Sequence, residues 1–560
     1  MLFNFYPLFK LDRLSGFISL FIGLFSLLTI IYSFKFMQGR KRILQYYFSI
    51  ILTAVFSVGA VLANHLILLL VFWGFLGLTL YLLINIDIEE TANLTGKKTF
   101  IIVGGSDCLL LLGIAIIYYL TGTFQMDKIK ISLTTDYRLL NTLAYLCLAV
   151  ASFAKAGAMP VHSWIPDCAK DALVPVVAYL PASLDKLLGI YLLTRISLDL
   201  FVMSKTMNLF LMLIGAFTIL AAVMMALVQH NAKRLLGYHA VSQVGYMVLG
   251  IGTGSSLGIA GGLFHMLNNA IYKSCLFLTS GNVEYKIKTT DLDKLGGLSK
   301  AVPITYISCL VASLSISGVP PFNGFFSKWM IYQGLIQTVG STQYIAYKVI
   351  VFLCLVAAMF GSALTLASFM KLLHSVFLGQ VSTANHELSN KTEEVSFLMW
   401  FPCLVLAGIC VIFGVFARQV PLKYFILPSL PKFLSTSNFL GFWSAGLATF
   451  LIILGLILGI LIFSLFKISF RRDSLFLGSE TKGVLETKVS GTEFYNTIKE
   501  LGFLRIIYTK AEKGFFDIYE QGKTLIFGIG RFFQFLHNGI LPTYLVWCLL
   551  GMLVFFVLVF

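Results

Sequence analysis

Apolar runs long enough to cross a bilayer, about 20 residues each, recur along almost the whole chain. They lie at 17–36, 43–63, 66–86 and 100–120, then near 139–159, 173–197, 208–229, 235–252, 256–279 and 302–318. Further runs fall near 321–338, 346–377, 397–416, 438–467 and 541–560. The runs are long and do not alternate, so they read as helices and not as barrel strands. Some split in two, and the length rule predicts roughly 14 to 16 transmembrane helices. The residues before the first run include Lys10, Asp12 and Arg13, and no small-residue cleavage site follows that run. A retained first helix is expected, not a signal peptide.

Two runs are interrupted. The first reads Ala154-Lys155-Ala156-Gly157-Ala158-Met159-Pro160-Val161-His162-Ser163-Trp164-Ile165-Pro166-Asp167. The second reads Ser317-Gly318-Val319-Pro320-Pro321-Phe322-Asn323-Gly324-Phe325-Phe326-Ser327-Lys328. Pro160, Pro320 and Pro321 each remove a backbone donor, and lipid cannot replace the lost hydrogen bond. Such breaks survive where protein or water covers the exposed backbone. A pair of interrupted helices in corresponding halves points to an inverted-repeat transporter with its ion path near the midplane; two ordinary proline kinks are the plainer alternative. Lys155 and Lys328 stand 173 residues apart, room for a repeat of about five helices.

The C-terminal part differs. Residues 470–540 are mixed in charge, and Phe494, Ile498, Leu501, Leu504, Tyr508, Ala511, Phe515 and Ile518 form one apolar stripe at helical spacing. Lys499, Glu500, Lys510, Glu512, Lys513 and Glu520 fall opposite. This predicts an amphipathic helix over 494–529 on the membrane surface or against partner helices, bent at Gly502, Gly514 or Gly522, with 540–560 as its anchor. A small cytosolic domain is the alternative.

Composition agrees with lipid as the solvent. The 560 residues are 58% hydrophobic and 12% charged, with a mean hydropathy of +0.89; soluble domains are about 25% charged. The net charge of +16 sits largely between apolar runs, as at Arg40-Lys41-Arg42, Lys97-Lys98, Lys233-Arg234 and Arg471-Arg472. Topology and lipid headgroups account for it; nucleic acid does not. The nine cysteines form no Cys-x-x-Cys pair and the eight histidines lack metal-ligand spacing. No nucleotide fingerprint follows a strand. No cofactor is expected in this chain, and any redox centre belongs to other chains.

The chemistry lies in charges inside the spans: Lys155, Lys186, Lys273, Lys328 and Asp107. A charge at the bilayer centre costs about 2.5–3.5 kcal/mol on insertion scales, so such residues mark ion paths by default. A lysine whose proton affinity follows its surroundings can accept and release a proton in turn. Snorkelling to an interface is the alternative for each. His265 lies eight residues before Lys273 on roughly the same helix side, and is either a proton-path member or a packing residue. His162 lies in the first break. His230 and His239 flank Lys233-Arg234 near a span boundary. His65, His374, His386 and His537 read as loop or interface residues.

These residues resemble the antiporter-like subunits of respiratory complex I, of membrane-bound energy-converting hydrogenases and of multi-subunit sodium/proton antiporters. The resemblance is carried by Lys155 with Pro160-Val161-His162-Ser163-Trp164-Ile165-Pro166-Asp167, and by Lys233-Arg234-Leu235-Leu236-Gly237-Tyr238 running into Ser242-Gln243-Val244-Gly245-Tyr246-Met247. It is also carried by His265 with Lys273-Ser274-Cys275-Leu276-Phe277-Leu278, and by the segment Gly318 to Lys328. These motifs cover roughly residues 50–380, and the C-terminal helix with its anchor looks like the long distal complex I subunit. The resemblance implies an all-α membrane protein with two inverted five-helix half-channels, each with a broken helix. In it Lys155 matches the first broken-helix lysine, Lys186 the bridging lysine, Lys273 and His265 the central axis, and Lys328 the terminal lysine. Two positions depart from the pattern. Gly74 follows Trp73 where the family usually has a glutamate that pairs with the broken-helix lysine, and Asn269 stands where a second histidine is frequent. Asp107 or Asp167 is then the stand-in carboxylate.

The expected organisation is 1–97 N-terminal helices, 98–230 first half-channel, 231–380 second half-channel, 381–469 C-terminal helices, 470–538 amphipathic helix and 539–560 anchor. The expected function is proton or sodium translocation, as a non-catalytic subunit of a redox-driven complex in the cell (inner) membrane. Its partners would be sibling antiporter-like and small membrane subunits, a peripheral arm with iron–sulfur or other centres, and lipid. A non-redox cation/proton antiporter, or an inorganic-carbon uptake module, is the first alternative. A structural subunit that has lost transport is the second.

Overall fold

The computed structural model describes residues 8–87, 89–133, 138–379, 393–430, 445–465 and 491–559. Apart from a two-residue parallel pair, β1 (Ile131–Ser132) with β2 (Phe201–Val202), those residues form helices and their connections. They divide into one body to Glu500 and a second from Leu501.

The first body opens with α1 (Arg13–Phe36). Asp12 caps it through a reciprocal pair with Ser15 and also holds Arg195 at 2.5 Å. Five elements follow: α2 (Ile43–Leu62), α3 (Leu66–Ile84), α4 (Glu90–Thr121), the broken pair α5 (Arg138–Ala156) and α6 (Trp164–Asp171), and the span α7 (Val174–Tyr179) to α8 (Asp185–Thr194). One π-helical turn, Leu180–Leu184, joins α7 to α8, and a second ends the span at Leu200. The same five recur as α9 (Lys205–Leu227), α10 (Ala232–Gly252), α11 (Ser256–Ile287), the broken pair α12 (Pro303–Ser317) and α13 (Asn323–Gly340), and α14 (Ile345–Leu373) with its own closing π turn to Leu378.

The recurrence extends to single hydrogen bonds. Leu66 N–H donates to Phe124 at 3.0 Å, and Ala232 N–H to Thr290 at 2.9 Å. Met126 N–H donates to Asn64 at 2.9 Å, and Leu292 N–H to His230 at 2.8 Å. Every one of these pairs is offset by 166 residues (232 against 66, 292 against 126), and both α4 and α11 have 32 residues. Under that offset Asp107 corresponds to Lys273 and Trp73 to His239. At the breaks the offset is 161: the left-handed Gly157 and Gly318 match, as do the cis peptides Met159–Pro160 and Pro320–Pro321. Lys155 and Lys328 are therefore not equivalent. Lys155 precedes its break, Lys328 follows its break, and the counterpart of Lys328 is Asp167. The spacing of 173 that suggested a repeat was right in scale and wrong in register. Five crossings are an odd number, so the second set starts from the opposite side and runs inverted.

Ten helices among the described residues are long and apolar enough to span. α10 and α11 have that length but carry many buried polar groups, and α12 has only 15 residues, so the count falls below the expected 14 to 16. α4 is longer than its apolar run because Lys97 and Lys98 lie inside it, so the boundary at 97/98 falls mid-helix. α15 (Phe397–Val415) packs on the repeats through Cys403, whose carbonyl faces Cys275. α16 (Ala445–Leu465) carries no charged residue. Much of 381–469 and of 470–538, including His386, Arg471 and Arg472, lies outside the described residues.

The amphipathic segment is not one helix. A 3₁₀ turn (Gly491–Tyr495) and α17 (Asn496–Glu500) end the first body. The second body comprises α18 (Gly502–Glu512), α19 (Ile518–Leu536) and the anchor α20 (Leu541–Val559). Gly514, at φ +73°, breaks the line between α18 and α19, whereas Gly522 continues inside α19.

Burial raises the Asp12 carboxyl, but Arg195 and the Ser15 amide outweigh it, so its pKa falls below 3.8. A depressed carboxylate contributes stability above its unfolded value and loses it as pH falls through the folded one. Asp12→Asn should cost about 1–3 kcal/mol at neutral pH. Thermal melts of the detergent-solubilised chain should show the gap from wild type closing as pH drops below 3.8.

Candidate ion path

The helix breaks expose carbonyls, and lysines answer them. At the first break the Lys186 ammonium, from α8, donates to Ala156 O, and the Trp164 indole donates to Ala154 O at 2.9 Å. At the second, Lys328 donates to Ile316 O at 2.9 Å and to the Ser362 hydroxyl at 2.8 Å. Lys273 donates to Leu236 O at 2.8 Å. Lys155, Lys186 and Lys273 are fully buried and Lys328 is 2% exposed. Their ammonium groups turn inward, so none of the four snorkels.

Lys155 is different. Its ammonium has no hydrogen-bond partner and lies 5.3 Å from the Trp73 ring centroid. Asp185 and Asp107 are the carboxylates that act on it electrostatically. Asp185 is 1% exposed and its Oδ2 has no partner; neither has Asp107 Oδ1. Asp107 reaches inward against Gly77, where a Cβ would stand 3.8 Å from its Oδ2. Gly74 lies on the exposed side of α3 with open space before it. Asp167 does not serve Lys155, because it pairs with Lys98 at 2.6 Å and Arg234 at 3.5 Å.

From Lys186 the polar line crosses into the second repeat. Asn269 Nδ2 reaches Ala182 O at 3.5 Å and the Ser274 hydroxyl donates to Ala178 O at 2.9 Å. His265 joins Ser327 at 2.9 Å through Nδ1 and Gln243 at 3.1 Å through Nε2, and Tyr272 lies 3.4 Å from both Gln243 and His265. The Tyr246 ring stands between His265 and Lys328, 5.3 Å from the imidazole and 4.8 Å from the ammonium.

Several members escaped the sequence reading. His239 is not a boundary residue: it is fully buried two turns into α10 and bonds Ser368 at 2.7 Å. His230 does sit at the boundary, 2.8 Å from Asp293. Lys371 is fully buried and caps Leu227 O and Gln229 O at 2.7 Å each. Asp185, Gln243 and Tyr272 had only their surrounding motifs as a signal. His162 stays in the break, its Nδ1 3.3 Å from Pro160 O.

An all-helical bundle with two inverted broken-helix repeats and a buried line of lysines defines an antiporter-like membrane subunit. The chain belongs to the NADH:quinone oxidoreductase/Mrp antiporter transmembrane family, whose pattern matches residues 63–361. It is a multi-pass protein of the cell membrane. A relative is the Na(+)/H(+) antiporter subunit A1 of Staphylococcus epidermidis, 30% identical over 429 residues, which are 73% of this chain and 52% of the relative. The chain thus spans about half the length of the curated relatives it matches. Among solved structures it resembles a chain of the membrane-bound sulfane sulfur reductase, an archaeal respiratory membrane complex, at TM-score 0.78, 23% identity and coverage of 98% of this chain and 89% of that one. It also resembles a chain of the Mrp complex from Dietzia sp. at TM-score 0.67, 22% identity and coverage of 75% and 83%.

The two candidate stand-in carboxylates make opposite predictions. Asp107→Asn should lower ion exchange in native-membrane vesicles by about tenfold, the equivalent of about 1.4 kcal/mol on the limiting barrier. Asp167→Asn, which alters only the two ion pairs to Lys98 and Arg234, should cost about twofold or less.

Proposed function

We propose that the chain is an ion-translocating subunit of a non-redox, multi-subunit cation/proton antiporter. The observation that carries this reading is the row of buried charged and polar side chains from Asp107 and Lys155 through Lys186 and Lys273 to His265 and Lys328. Burying so many titratable groups in a membrane bundle is costly unless they move charge. The family supports translocation, and the similarity to the staphylococcal antiporter subunit favours antiport over the redox-driven complex that the sequence put first. Its partners would be other antiporter-like membrane subunits.

A redox-linked parent complex is the second reading. It is favoured by the extent of the fold likeness to the sulfane sulfur reductase chain, 98% of the residues here. In that case peripheral subunits with iron–sulfur or other centres would co-purify with the chain. A purely structural role fits poorly, because the Lys155 ammonium and Asp185 Oδ2 are buried with no hydrogen-bond partner, a cost that structure alone does not offset.

The test is Lys328→Ala in the intact complex. Removing the ammonium uncaps Ile316 O and opens the line at its end. Sodium-driven proton movement in inverted vesicles should fall by about tenfold or more, as expected for loss of a transfer group, with assembly of the complex unchanged. Exchange indifferent to this substitution would return the chain to the structural reading.

A further inference from the structure

The two repeats close their first helices at matched positions with different chemistry. The 166-residue offset pairs Val61 with Leu227, Asn64 with His230, Trp73 with His239 and Asp127 with Asp293. In each repeat the last span caps the first helix. The Tyr191 hydroxyl, from α8, donates to Val61 O at 2.6 Å, and the Lys371 ammonium, from α14, donates to Leu227 O at 2.7 Å. Arg195 Nε donates to the Tyr191 oxygen at 3.0 Å, and Arg195 is itself paired with Asp12 at 2.5 Å and Asp199 at 2.8 Å. So a tyrosine, an asparagine and a tryptophan stand in the first repeat where a lysine and two histidines stand in the second. None of the first three exchanges a proton near neutral pH, and an arginine guanidinium does not deprotonate in a protein.

In the second repeat these groups form a row from the core to the surface. His239 and Lys273 both lie against the Phe369 ring, His239 at 4.7 Å between centroids and the Lys273 ammonium at 5.6 Å. His239 Nε2 bonds the Ser368 hydroxyl at 2.7 Å, while its buried Nδ1 has no hydrogen-bond partner. Lys371 follows Ser368 by three residues, which sets the two on one face of α14 a single turn apart. Its ammonium also holds Gln229 O at 2.7 Å. The next residue, His230, is half-exposed and 2.8 Å from Asp293. Asp293 takes the Thr492 hydroxyl as well, and Asp291 with Lys294 at 3.3 Å stands beside it. The charged groups that act on His239 are Lys273, Lys328 and Lys371, and the one that acts on Lys371 is Asp293.

We propose that His239, Ser368 and Lys371 form a proton branch that opens the second repeat to the surface at His230 and Asp293, and that the tyrosine cap closes the matching place in the first repeat. This rests on the translocation reading above and holds for either drive, sodium gradient or redox. In the inward step the Lys371 ammonium becomes the amine as its proton passes to the Ser368 oxygen, and the Ser368 hydroxyl gives its own proton to His239 Nε2. The imidazolium so formed releases its Nδ1 proton to the line at Lys273, and Lys371 is protonated again from His230. One proton enters and one leaves, and the reverse order exports. The flexible four-carbon stem of Lys371 is the moving part.

Proton movement in vesicles holding the native complex tests the branch through three variants. Lys371→Arg keeps the charge and the donors to Leu227 O and Gln229 O but cannot give up a proton. His239→Gln keeps a partner for Ser368 but does not titrate. Each should lower proton movement by about tenfold or more, with assembly and melting temperature as in wild type; the two act independently, so a folding defect in one leaves the other to decide. Tyr191→Phe removes the cap of Val61 O and should lower the melting temperature while proton movement stays close to wild type. The branch is overturned if Lys371→Arg and His239→Gln move protons like wild type, or if Tyr191→Phe loses as much, since capping would then be what matters. Movement that needs an electron donor overturns only the antiport reading, and the variants are compared under that drive. A wild type that moves no protons under either drive overturns translocation and the branch together.

Discussion

A helix broken inside a membrane leaves carbonyl oxygens that lipid cannot satisfy, and the rest of this molecule is arranged around satisfying them with lysine. Lys186 holds the end of α5 and Lys328 holds the end of α12. The bond is charge-assisted, hence stronger than a neutral one, but it also ties the backbone to a titratable group. A lysine that loses its proton has one donor fewer for the carbonyl it caps. Gly157 and Gly318 supply the left-handed turns that aim these ends inward.

The line between the breaks depends on α11. It lies against α7 and the π turn through Ser274 and Asn269, bonds α10 through Lys273 and His265, and reaches α13 through the Ser327 hydroxyl. Asn269 keeps a hydrogen bond across the repeat boundary but has no titrating proton. The gap it leaves is bordered by Lys186 and Lys273, the two lysines on either side. Gly74 proves less disruptive than its position in the motif suggests. It sits on the exposed side of α3, while the inward carboxylates come from Asp107 and Asp185.

Much of this was legible in the sequence. The spans follow from run length, the breaks from Gly and Pro, and four of the five lysines from the cost of burying them. What stayed hidden depended on neighbours across the bundle. Asp185 stands next to Lys186 in sequence, yet only the packing of α8 on α5 turns it towards Lys155. Gln243 and Tyr272 are ordinary polar residues until α10 and α11 bring both to His265. His239 looked like a boundary residue because Lys233 and Arg234 precede it closely, although two helical turns carry it into the core. Lys371 was hidden inside a long apolar run, where its role as a cap for α9 leaves no spacing signature. The repeat register failed for a related reason: equivalent backbone positions carry opposite charges, so matching lysine to lysine aligns the wrong residues.

The central claim is that ion exchange drives this line without electron transfer. The most direct measurement places the purified native complex in sealed liposomes with a pH-sensitive dye inside and no electron donor present, then applies a sodium gradient. The account predicts immediate proton movement opposite to sodium. Proton movement that begins only when a reductant for co-purified redox subunits is supplied would contradict it.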